Sequence, residues 1–204
     1  EPTIKNISFR YDGFAIYITS YSNNRGPARI IEYETNTPWT ALNAPTRGQI
    51  TRQVRYLATA PETLPRAFVM RPDGGQIWIL GSSRRTIRSY NLLIPYNISS
   101  AIFVYEMGIA ADRGGSYPVD LLFSSFGKKF LIAETAPSSV STGGAIHEYR
   151  CTRAFDISSA EWVRTYHYGN ISHNTKLGGI DVSHDGKLLF TMGGNLMFSF
   201  KLSD

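Results

Sequence analysis

Cysteine is nearly missing from this chain: Cys151 is the only one in 204 residues. A lone cysteine cannot close an internal disulfide or build a Cys-based zinc site, and in this setting it reads as a half-buried strand residue. Long apolar runs are missing too. No stretch approaches the roughly 20 residues that a membrane-spanning helix needs, so no membrane insertion is expected. Acidic residues are few, 16 against 21 basic ones, and charged residues make up only 18% of the chain. Low charge beside 42% hydrophobic content argues for a folded chain and against disorder.

The net charge of +5 is scattered; only Arg84-Arg85 and Lys128-Lys129 are adjacent basic pairs. A nucleic-acid binder concentrates its charge in a stripe, so no nucleic-acid partner is expected. There is no G-x-S-x-G elbow, P-loop or Asp-rich calcium loop. The histidines are His147, His167, His173 and His184, and none has the i,i+4 spacing with a Glu of a helical zinc site. No metal and no other cofactor is expected. Three sequons begin at Asn6, Asn97 and Asn170, and Asn97 is better read as a turn former. The chain opens on Glu1 without an initiator Met, which predicts a processed, trimmed or excised product.

What the chain has in plenty is glycine and aromatics, the composition of many short strands and tight turns. These strands repeat. Hydrophobic hairpins occur at "NISFRYDGFAIYIT", "AFVMRPDGGQIWIL", "DLLFSSFGKKFLIA" and "DVSHDGKLLFTM", with turn glycines at Gly13, Gly74, Gly127 and Gly186. Asp-Gly supplies the positive φ that such turns need, and Phe126-Gly127 replaces it in the third. A third strand ends on Tyr33, Tyr90, Tyr149 and Phe200. A phrase follows it, "LIPYNISSA" at 93–101 and "TRAFDISSA" at 152–160, with a weaker form, "TNTPWTAL", at 35–42. A fourth strand follows the phrase in the first three repeats.

Four antiparallel strands repeated in this way predict an all-β fold, a β-propeller of about four blades with the last incomplete. The repeats run approximately 4–60, 65–115, 117–176 and 178–204, within one domain over residues 1–204. Both faces of "GQIWILG" are apolar, as a blade sandwiched between neighbours requires. The phrase is expected to staple the blade: Asn97 or Asp156 caps the next amides, Ile98 or Ile157 plugs the blade, and Trp39, Tyr96 or Phe155 packs beside it.

This hairpin, the I-x-x-Y strand and the P-aromatic-D/N-I-S-S-A connection together resemble a repeat of bacteriophage tail and fibre proteins and bacterial surface proteins. The repeat is loosely similar to lactonase-type propellers. The resemblance covers almost the whole chain, although the first copy departs from the phrase at Thr40 and Leu42. It implies virion architecture or binding, at a virion surface or outside the cell, with no defined chemistry. Partners would be other virion proteins or copies of the chain, and a host-surface glycan.

In a propeller the loops between second and third strands share one face with the inter-blade loops, and such loops carry specific function. Tyr21, Arg25, Arg84, Arg85, Arg113, Tyr117 and Lys176 are therefore the candidate ligand-binding residues, suited to an acidic glycan or protein. No catalytic residue is assigned and the chain is expected not to be an enzyme. The alternatives are an extracellular carbohydrate- or protein-binding propeller and a lactonase-like hydrolase. Glu62, Asp112, Asp120, Glu134 and Asp181 are the carboxylates near the presumed channel entrance; Asp120 and Asp181 are expected at equivalent inner-strand positions.

Overall fold

Runs of Ile, Tyr, Phe, Val and Thr fit a pleated, half-buried surface, and they form strands here. A computed structural model of the chain describes residues 3–21, 28–35, 38–39, 50–59, 61–109, 117–135, 144–167, 177–183, 187–193 and 196–201. The first sheet is β1 (Thr3–Phe9), β2 (Ala15–Tyr21), β3 (Arg29–Thr35) and β4 (Ile50–Ala58). The second is β5 (Pro65–Met70), β6 (Gln76–Gly81), β7 (Thr86–Leu92) and β8 (Ala101–Gly108). The third is β9 (Tyr117–Phe123), β10 (Lys129–Thr135), β11 (Gly144–Cys151) and β12 (Ala160–His167). The fourth has three strands among the described residues, β13 (Leu177–Val182), β14 (Leu188–Gly193) and β15 (Leu196–Lys201). Each sheet is a meander in which sequential strands are neighbours. The all-β expectation holds.

Registers are equivalent from sheet to sheet. Ile16 faces Tyr33, Ile77 faces Tyr90, Phe130 faces Tyr149 and Leu189 faces Phe200. The aromatic expected to end the third strand lies inside it, two residues before the end in the first three sheets and one before it in the fourth, and it occupies one place in every repeat.

The repeated phrase works as a clamp on the first hairpin. The turn glycines adopt positive φ, 77° at Gly13, 72° at Gly74 and 64° at Gly127. Trp39, Tyr96 and Phe155 also have positive φ, near 60°, and lay their rings on those glycines. A methyl group on Gly127 would lie 2.4 Å from the Phe155 ring. Each aromatic N–H donates to its glycine's carbonyl, at 3.1, 3.0 and 2.8 Å. The next residue caps a single 3-10 turn: the Asn97 side chain accepts from the Ser99 N–H at 3.1 Å, and Asp156 accepts from the Ser158 N–H at 2.9 Å. Ile98 and Ile157 are buried beneath. The turn at Asp185-Gly186 lies outside the described residues.

The chain divides into two compact units, Glu1–Met107 and Gly108–Asp204. In the first, Ala15, Tyr17 and Ile30 of one sheet pack against Phe68, Ile77, Ile79, Tyr90, Leu92 and Ile98 of the next. In the second, Leu131, Ala133 and Ile146 pack against Ile180 and Leu189. Sheet on sheet buries the face that a lone meander would leave wet.

Candidate functional site

The connection from β4 to β5 and the turn from β6 to β7 meet at one end of the second sheet. Thr59 opens a tight turn in which the Glu62 N–H donates to the Thr59 carbonyl at 2.9 Å, while the Thr59 hydroxyl donates to the Glu62 carbonyl at 2.8 Å. That turn folds the Glu62 side chain beneath the β6–β7 turn, where it is buried. Its carboxylate accepts from the N–H groups of Leu64 at 2.6 Å, Ser83 at 3.2 Å and Arg84 at 3.2 Å, and from the Ser83 hydroxyl. A buried carboxylate needs such donors to offset its lost hydration. Gly81 makes the room: a methyl group there would sit 1.9 Å from the Glu62 carboxylate.

Four arginines stand around this loop end. The Arg66 guanidinium donates to the Ser82 hydroxyl at 2.9 Å. Arg84 and Arg85 lie in the turn, Arg85 with φ of 54°. Arg88, on β7, pairs with Glu106 of β8 at 3.1 Å, reaches the Thr59 carbonyl at 3.5 Å, and stacks 4.6 Å from the Phe103 ring. Arg84 also leans on Glu106, at a looser 3.5 Å, with 48% of its side chain exposed. Since Glu62 is engaged by backbone, Glu106 alone of these two carboxylates faces the arginines. The loop end carries excess positive charge, and Arg84 is the guanidinium most open to an incoming anion.

The other candidates fall as follows. Tyr21 is the last residue of β2, and its side chain is outside the described set. Arg25, Arg113 and Lys176 are outside the described residues, as is Asp112. Tyr117 opens β9, half-exposed, opposite Thr135. Arg84 and Arg85, adjacent in the chain, share the β6–β7 turn, and no other pair of these candidates meets among the described residues. Arg66, Arg88, Glu62 and Glu106 were missed by sequence reasoning as a group. The signal for them was the glycine ending "IWILG", where the neighbouring repeats have Ser20 and Glu134.

The carboxylates expected near the channel are held by structure. Asp120 accepts from the Ile180 N–H at 2.9 Å, joining the first strands of the third and fourth sheets, and from the Leu121 N–H at 2.9 Å. Burial raises its pKa. Asp120 and Asp181 are not equivalent, which corrects the expectation from sequence. Asp120 faces Ala133, whereas Asp181 faces Phe190, the counterpart of Leu131. The true counterpart of Asp120 is Gly179, whose added methyl would lie 3.1 Å from the Asp120 carboxylate. Glu134 lies 3.3 Å from the His147 ring, both buried, and His147 also meets the Thr165 hydroxyl at 2.9 Å.

No protein-family model matches the sequence, and no curated protein matches it. Solved structures do match in shape. One is a candidate 6-phosphogluconolactonase of Bacteroides fragilis, 12% identical with a TM-score of 0.65; the likeness covers 99% of this chain and 51% of that one. The Pseudomonas aeruginosa periplasmic gluconolactonase is 12% identical with a TM-score of 0.63, over 99% of this chain and 50% of that one. The β-propeller domain of a Myceliophteria thermophila protein is 11% identical with a TM-score of 0.59, over 99% of this chain and 55% of that one. The fold is a β-propeller. Its four sheets are blades, and the chain spans about half the length of the proteins it matches. At such identity the likeness carries the fold alone. No family finding supports the tail-fibre resemblance. The expectation of a protein outside the enzymes, which rested on missing motifs and on few carboxylates near the channel entrance, is corrected: solved structures that share this frame are named as lactonases.

Proposed function

We propose that the loop end of the second blade binds a small anionic ligand of the sugar-acid class. The observation that carries this reading is the pair of guanidiniums, Arg84 and Arg88, that share the single carboxylate of Glu106 at a loop end where Glu62 is already engaged by backbone amides. A guanidinium offers two parallel donors to a carboxylate or phosphate, and partial burial strengthens the pairing. The ligand would take Arg84 in competition with Glu106. A place in a virion, in contact with a host-surface glycan, draws on the repeated phrase alone, and that phrase has a structural use here as the hairpin clamp.

Names of the structural neighbours favour a second reading, hydrolysis of a sugar lactone, whose product is such an acid. Both readings are tested together. Titration with 6-phosphogluconate should release heat, salt should weaken binding, and Arg84→Ala should weaken it about tenfold or more, the loss of one charge-assisted hydrogen bond. No heat at millimolar ligand would sink the binding reading. Opening of 6-phosphogluconolactone faster than in buffer, and sensitive to Arg84→Ala, would establish the lactonase reading.

A further inference from the structure

We infer that the third blade carries an acyl-transfer site: Thr165 attacks a carboxylic ester, His147 is its base, and Glu134 holds the imidazole. Nothing in it depends on anion binding by the second blade. The three residues come from neighbouring strands, Glu134 on β10, His147 on β11 and Thr165 on β12, and strand alternation puts them on one face of the sheet. His147 Nδ1 lies 2.9 Å from the Thr165 hydroxyl, and Nε2 lies 3.3 Å from the Glu134 carboxylate. Glu134 is 0% exposed and His147 2%, while Thr165 is half-buried and Trp162 beside it is 59% exposed. The hydroxyl is thus the end of the relay that lies nearest solvent.

The blade frame does not demand these groups. Register puts Ser20 and Ile31 at the places of Glu134 and His147 in the first blade, and Gly193 and Phe198 in the fourth. A buried carboxylate and imidazole cost hydration that such residues do not. Beside them the β11–β12 pairing skips Val163: Glu148 faces Arg164, and Tyr149 faces Trp162. This bulge brings Trp162 to the face of Thr165, where its indole N–H donates to the Thr165 hydroxyl oxygen at 3.2 Å. A donor at the nucleophilic oxygen is placed to reach the carbonyl oxygen that gains charge when Thr165 attacks.

The carboxylate of Glu134 opposite Nε2 draws the imidazole proton to that nitrogen, which leaves Nδ1 as the acceptor for the Thr165 hydroxyl. Thr165 Oγ1 bonds to the ester carbonyl carbon as its proton passes to Nδ1. The imidazolium so formed faces Glu134, whose charge stabilises it. The tetrahedral carbon then releases the alcohol oxygen, which takes the proton from Nδ1, and the acyl group stays on Thr165. Water repeats the two moves: it gives its proton to Nδ1, bonds to the acyl carbon, and frees the acid and the Thr165 hydroxyl. His147 and Thr165 are the catalytic residues, and Glu134 is a positioning residue.

The probe is p-nitrophenyl acetate, mixed with the 204-residue chain and quenched in acid. Peptide mass spectrometry should find one acetyl group per chain on Thr165. Thr165→Ser should keep that label and Thr165→Ala should lose it. His147→Gln should slow acetylation about a hundredfold or more, the usual contribution of a general base. Nitrogen NMR of the His147 ring should show its proton on Nε2 in the wild type, and Glu134→Gln should weaken that preference and slow acetylation together. Acetyl groups on lysines alone in the wild type overturn the inference. So does a ring proton held on Nδ1, or wild-type acetylation of Thr165 in a His147→Gln chain with native circular dichroism.

Discussion

Phe155 has a φ of 60°, a conformation that L residues other than glycine rarely adopt, and it lies over Gly127 with φ of 64°. The unfavourable backbone state of Phe155 is held by one ring contact with Gly127 and one N–H to carbonyl bond of 2.8 Å, and Gly127 takes its own positive φ without steric cost. Gly127→Ala should therefore destabilise the chain by about 2 kcal/mol or more, by the left-handed backbone cost plus the ring clash; urea denaturation would measure it. Phe155→Ala should cost less at Gly127 but should expose Phe123, whose ring lies 6.0 Å from that of Phe155. Cys151, close to the clamp, is pushed up to about 11 by burial, with the Asp156 charge adding to it. The thiolate is the reactive form. Thiol reagents at pH 8 should leave Cys151 unmodified in the native chain and modify it once urea unfolds the protein.

At the scale of elements, a glycine and a carboxylate hold the β4–β5 connection and the β6–β7 turn together. Gly81→Ala would drive a methyl into Glu62. Glu62→Ala would strand the N–H groups of Leu64, Ser83 and Arg84. Each change should lower stability by about 1–3 kcal/mol, by a steric clash in the first case and by the loss of hydrogen bonds to a charged group in the second. Thermal unfolding would read this, and faster amide exchange at Ser83 and Arg84 would locate it. Asp120 joins the first strands of two blades. Its pKa is raised by burial, so it is neutral in both states well below the usual carboxylate range. As pH rises the unfolded chain ionises first, and stability falls until the folded group ionises too. Asp120→Asn keeps an oxygen for the Ile180 N–H and removes that fall. It should leave stability near pH 7 equal or higher, whereas Asp120→Ala should lower it; denaturant midpoints from pH 3 to 7 distinguish the two.

For the whole molecule, acid acts on three repeats at once. Asp12 is held below the ordinary carboxylate pKa by the Arg10 hydrogen bond, Asp73 by that of Arg71, and Asp156 by that of Ser158. Lowered folded values mean stability that is present above the unfolded pKa of about 3.9 and is lost as pH falls through the folded values. The three groups are largely exposed, so each contributes modestly, and their losses add. Changing all three to Asn should flatten the acid limb of the unfolding curve below about pH 4 without changing the native circular dichroism. Asn97 holds the place of Asp156 in the second blade, so an amide suffices at that cap.

Strand order and hairpin chemistry were legible in the sequence because their causes are local. Alternating apolar residues make strands, a glycine at positive φ makes the turn, and Asn or Asp caps the amides two residues on. The clamp phrase was legible because it repeats. The loop end was legible only in part. Arg84 and Arg85 are neighbours in the chain, but Arg66, Arg88, Glu62 and Glu106 come from separate strands and connections, and the one local signal, the glycine ending "IWILG", does not say which carboxylate fills the room it leaves. The mistaken match of Asp120 to Asp181 has the same origin: a shift of two residues in register preserves the face and changes the partner. By itself the sequence determined the all-β repeat, its turns and its caps, since these depend on residues a few positions apart. Only the tertiary structure decided which charges meet and which carboxylate the backbone holds, because those depend on pairing between distant strands.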